Sequence, residues 1–89
     1  LGRARRVRMR VLKEFRFGPM KFSIFSFNEK WILKTEVGLC EQTFKFPQEE
    51  FEMENIVAYC HDTDFQSRIH ARFQDMHTDL KSLTTSDLT

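Results

Sequence analysis

The chain has 89 residues, 14 Lys and Arg against 13 Asp and Glu for a net charge of +1, and a 40% hydrophobic composition. That length supports one hydrophobic core and excludes two, and the composition is globular rather than disordered. The longest apolar runs are a few residues, far short of the roughly 20 a membrane helix needs, and no apolar leader with a small-residue cleavage site opens the chain. The expected setting is therefore cytoplasmic, with Cys40 and Cys60 as reduced thiols.

The opening segment LGRARRVR holds Arg3, Arg5, Arg6 and Arg8. Its first six residues show no periodicity, so residues 1–8 read as a basic extension ahead of a start at Met9. The alternative is an arm that touches phosphate or acidic lipid. Residues 9–84 form the expected single domain and residues 85–89 a fraying tail.

From Val7 to Phe17 the odd positions are mostly apolar and the even ones mostly charged, the period-2 pattern of a half-buried strand. Gly18-Pro19 ends it, because glycine supplies a turn φ and proline lacks a ladder donor. A second strand spans residues 20–27. Asn28-Glu29 turns into a third over 30–36, and Val37-Gly38 into a fourth over 39–46, closed by Pro47. The expectation is a four-stranded antiparallel meander.

Two-residue turns fix the register and hence the faces. One face receives Val11, Phe15, Phe17, Met20, Phe22, Ile24, Trp31, Leu33, Cys40, Phe44 and Phe46 and is the core face. The other receives mostly charge, with Lys21 opposite Glu36 and Lys34 opposite Glu41. Beyond Pro47, QEEFEMENIVAYCHD reads as an acidic connector and a short helix over about Glu54–Cys60. Thr63 or Asp64 then caps a long helix, with Gln66 completing a capping box. Its residues Phe65, Ile69, Phe73, Met76, Leu80 and Leu83 form one apolar stripe. Such a stripe must cover the core face, which makes the fold class α+β, in the order ββββαα.

The stretch KFSIFSFNEKWILKTEVGLCEQTFKF interleaves six aromatics with lysines. Four of the six belong to the core face. Phe25 and Phe27 fall on the other, beside Leu12 and Ile32, with Arg10 opposite Phe27. A contiguous apolar patch of this kind marks an interaction surface, and its simplest use is a homodimer, otherwise an unidentified protein partner. A bulge between Ile24 and Phe25 would instead turn the rings inward, or the short helix would cover them. A second reading is single-stranded nucleic acid, stacked on the rings and held by Arg8, Arg16, Lys30, Lys34 and Lys45. Glu14, Glu36 and Glu41 on the same face oppose it.

KWILKTEVG resembles a strand of a Pur-type repeat, whose unit is a four-stranded sheet followed by a C-terminal helix. Over nine residues the likeness implies that fold and a single-strand-binding class, and carries no functional residue onto this chain.

Chemistry at a site is weakly signalled. No phosphate loop, nucleophile elbow or HExxH occurs. Cys60 and His61 are adjacent on a helix and diverge, so they do not form a dyad. Cys60, His61, His70 and His77 lack the paired spacing of structural zinc sites. Asp62-Thr63-Asp64 lacks the glycine and distal glutamate of a calcium loop. The expectation is a non-catalytic domain with no cofactor, no metal and no membrane contact.

Overall fold

The computed structural model describes residues 10–87, so Arg8 and the rest of the basic extension lie outside the described residues. Four antiparallel strands, β1 (Val11–Phe17), β2 (Met20–Phe27), β3 (Lys30–Val37) and β4 (Cys40–Pro47), form one sheet in the order β1-β2-β3-β4. Two helices follow, α1 (Met53–Cys60) and α2 (Thr63–Asp87). The ββββαα class read from the sequence is the observed one.

Each turn has a local cause. Gly18 and Gly38 both have φ near +59°, and each is the first of the two central turn residues, where a tight hairpin needs a residue without a Cβ. Asn28 and Glu29 both have positive φ, 52° and 61°, as a hairpin turn with two left-handed residues requires. The last turn is Gly38-Leu39 rather than Val37-Gly38, so Val37 pairs with Cys40. That moves the pairing of β3 with β4 by two residues and leaves every face unchanged. Lys34 consequently sits opposite Thr43, not Glu41, while Lys21 does pair with Glu36.

The expected core face is the observed one from Phe15 onward. Met20, Phe22, Ile24 and Leu33 are buried together with Ile56 and Cys60 of α1 and Ile69 and Phe73 of α2. Val11 is the exception. A bulge between Val11 and Lys13 gives β1 one extra residue, Leu12, and beyond it Val11 pairs with Phe25. One inserted residue reverses which way the strand's side chains point, so Val11 leaves the core face and is 50% exposed. The bulge lies in β1, not between Ile24 and Phe25.

The helices are positioned by polar contacts as well as by burial. Trp31 Nε1 donates to Phe51 O at 2.9 Å and pins the connector before α1. The backbone N–H of Glu52 donates to Asn55 Oδ1 at the start of α1. Asp62 caps α2, one residue ahead of the expected Thr63, by accepting the Asp64 N–H on its carboxylate at 2.9 Å. Gln66 does not close a capping box: its side chain donates to Cys60 O. Farther along, Gln42 Nε2 of β4 donates to Ile69 O, and Arg72 donates to Gln42 Oε1.

The apolar stripe of α2 outruns the sheet. A helix of 25 residues is about 37 Å long, against about 26 Å for an eight-residue strand. The ring of His77 is hydrogen-bonded with Val37 O at the tip of the β3–β4 hairpin, and the helix continues beyond it to Asp87 rather than ending before Thr84. Leu83 is accordingly 65% exposed.

Candidate functional site

Both helices pack on one side of the sheet, through the core cluster, and no described element covers the other. Residues that alternate away from the core define this open face: Glu14 and Arg16 of β1, Lys21, Ser23, Phe25 and Phe27 of β2, Ile32, Lys34 and Glu36 of β3, Glu41, Thr43 and Lys45 of β4. The bulge adds Val11 to it.

The pairing draws a row of apolar side chains across three strands, Val11 opposite Phe25 and Phe25 opposite Ile32. Phe25 and Ile32 are 8% and 7% exposed, although neither belongs to the core cluster. Part of that shielding is Lys34, whose Nζ lies 5.5 Å from the centre of the Phe25 ring, a cation resting on an aromatic face. Val11, at the end of the row, is the most exposed member, and Phe27 beyond it is half-buried. Leu12, the bulged residue, is 42% exposed and is not opposite Phe25. Arg10 is exposed and precedes the ladder, which begins at Val11; the partner of Phe27 is Lys30.

Charge on this face is balanced at one end and cationic at the other. At one end Glu14, Lys21, Glu36 and Lys34 form a chain of ion pairs, with N···O distances of 3.3, 3.8 and 3.5 Å. Partly exposed pairs of this kind contribute little stability, so their effect is to fix where the charges lie. At the other end Lys30 stands opposite Phe27 and Pro47, and Lys45 opposite Ile32, with no carboxylate of the face among those pairs. Arg16, opposite Lys21, and Glu41, opposite Glu36, lie at the ion-paired end, where three carboxylates balance three cations. Sequence alternation located the face, while the position of the last turn sets Lys45 opposite Ile32 rather than Lys30, and Glu41 opposite Glu36 rather than Lys34.

The remaining candidates are taken up by structure. The ring of His61 packs edge-on against Phe15 and Phe17, at 4.8 and 5.3 Å, while its Nδ1 lies 3.0 Å from Val57 O. Cys60 is fully buried, and burial pushes its thiol up to about 11, so it is protonated at neutral pH and unsuited to nucleophilic attack. Among the described residues no three His, Cys, Asp or Glu side chains converge as metal ligands. No described helix is long and apolar enough to cross a membrane.

A feature the sequence did not suggest lies on the helix side. Phe44, Phe46, Tyr59 and Phe65 enclose, with Asp62 and Arg68 at the rim, a hollow of about 310 Å3 beside β4. Neighbouring rings around it are 6.0 to 6.4 Å apart. Its residues come from three elements, so no local pattern announces it.

No family model matches the chain, and it matches neither a curated protein nor a solved structure.

Proposed function

We propose that this is a small, non-catalytic, cytoplasmic interaction domain that self-associates, with the open sheet face as its contact surface. The observation that carries the reading is the apolar row Val11–Phe25–Ile32, extended by Phe27, on the side of the sheet that neither helix covers. Two such sheets packed face to face would bury the row against its copy, in the aligned packing common to stacked sheets. A twofold contact suits a single self-complementary patch.

Phe25 is a poor residue with which to test this, because a carboxylate at a position only 8% exposed would cost folding stability whatever its role. Val11 and Phe27 are the accessible members. The variant Val11→Asp/Phe27→Asp is expected to keep the parent's circular dichroism and to lose the association made through this face, sedimenting as a smaller species than the parent. A folded variant that associates as tightly as the parent would overturn the reading.

The cations beside the aromatic rings support a second reading. Lys30 and Lys45 beside Phe27, and Lys34 over Phe25, combine cations with aromatic rings as single-stranded nucleic acid requires. The same sedimentation runs with an oligothymidylate separate the two. A monomeric parent that binds it with a log–log salt slope of about −4, the value for six phosphate contacts, would favour nucleic acid.

A further inference from the structure

We infer that the outer edge of β4 is a second self-association surface, separate from the open face, on which an identical β4 adds antiparallel about a twofold axis at Thr43. Two sheets would thereby join into one of eight strands.

The two edges of the sheet differ. Edge strands that must stay unpaired are commonly interrupted by bulges or by inward-pointing charge, and β1 has both. Leu12 is bulged, and Lys13, opposite Ile24, points to the helix side. β4 has neither. It pairs with β3 without a break from Cys40 to Pro47, and its outer edge has no backbone partner among the described residues. α2 meets β4 on the helix side of the sheet, through Gln42, and leaves its side chains there partly open. Leu33 and Thr35 of β3 are 0% and 1% exposed, whereas Phe44 and Gln42, opposite them on β4, are only half-buried.

What selects a second copy over some other strand is the charge pattern. Glu41 and Lys45 point to the open face, two residues before and two after Thr43, and neither has an ion-pair partner among the described residues. Antiparallel pairing about Thr43 sets each Glu41 opposite the Lys45 of the other copy, and Thr43 opposite itself. An axis moved to Glu41 or to Lys45 would set like charges opposite each other, and one at Gln42 or Phe44 would leave both charges without an opposite, so only the axis at Thr43 pairs them. On the helix side the same alignment brings Phe44 opposite Gln42 of the second copy, beside the aromatic hollow.

The test is a charge swap at exposed positions, read by sedimentation equilibrium at low salt. Glu41→Lys alone and Lys45→Glu alone are each expected to weaken association about tenfold or more, because both symmetry-related pairs become repulsive. Glu41→Lys/Lys45→Glu, which recreates the pairs in reverse, is expected to restore it to within about twofold. Single variants that associate like the parent, or a double variant as weak as the two losses combined, would overturn the inference. Association lost in Val11→Asp/Phe27→Asp but unmoved by the charge swap leaves the face reading and removes the edge. The opposite pattern keeps the edge and removes the face. A parent that is monomeric at all concentrations overturns both.

Discussion

Thr35 Oγ1 is the one fully buried side-chain polar atom among the described residues that has no hydrogen-bond partner. It lies on the core face of β3, between Phe22 on β2 and Gln42 on β4, and Gln42 spends its amide on α2 instead. A hydroxyl removed from water without compensation costs free energy that a methyl of similar shape does not. Thr35→Val is therefore expected to raise the stability of the fold by about 1 kcal/mol, read as a higher urea midpoint at unchanged slope. The neighbouring core makes the opposite point about shape. Phe73, 2% exposed, contributes through the volume it fills, and Phe73→Ala is expected to cost roughly 3–5 kcal/mol in the same measurement.

Among the elements, the β2–β3 hairpin is the one whose turn chemistry is least suited to its geometry. Asn28 tolerates a left-handed backbone, because its short amide bonds locally, but Glu29 at φ 61° has no such compensation. Glu29 contributes to the contacts of the turn only through its carbonyl, which accepts the Gln48 N–H at 3.0 Å and survives any change of side chain. Glu29→Gly, creating the Asn-Gly pair that such turns favour, is expected to stabilise by about 0.5–1 kcal/mol in thermal melts. In α2 the two ends differ in kind. The N-terminal part is held by the Asp62 cap, by Gln42 and by burial of Ile69 and Phe73, whereas beyond His77 the apolar stripe goes from the half-buried Leu80 to Leu83, which is 65% exposed.

The whole molecule is a slab, 46 × 43 × 20 Å, whose short dimension is one sheet and one layer of helix. A two-layer fold of this size leaves a sheet face and two strand edges open, and among the described residues β1 is interrupted by a bulge while no element covers the second face or pairs with the outer edge of β4. Assembly through either surface couples stability to concentration by mass action. The melting temperature of the parent is expected to rise with each tenfold increase in protein concentration. A variant with both Val11→Asp/Phe27→Asp and Glu41→Lys is expected to melt at a temperature independent of concentration, and differential scanning calorimetry over a hundredfold range checks both.

The sequence by itself determined the number and order of strands, the face that packs on the helices from Phe15 onward, and the stripe of α2, because all of these follow from local periodicity and from glycine and proline at turns. Its limits lie where one residue more or less changes the outcome. Nothing in VLKEF distinguishes a regular strand from one with Leu12 bulged, yet that insertion alone moves Val11 from the core to the open face. Whether the last hairpin turns at Val37-Gly38 or Gly38-Leu39 is equally undecided by composition, and it sets which charges face each other across β3 and β4. The shielding of Phe25 by Lys34, the cap at Asp62 and the aromatic hollow beside β4 bring together residues from separate elements or turn on a single position. Only the tertiary structure decided them, since alternation along a strand fixes the side a residue faces but not what lies over it.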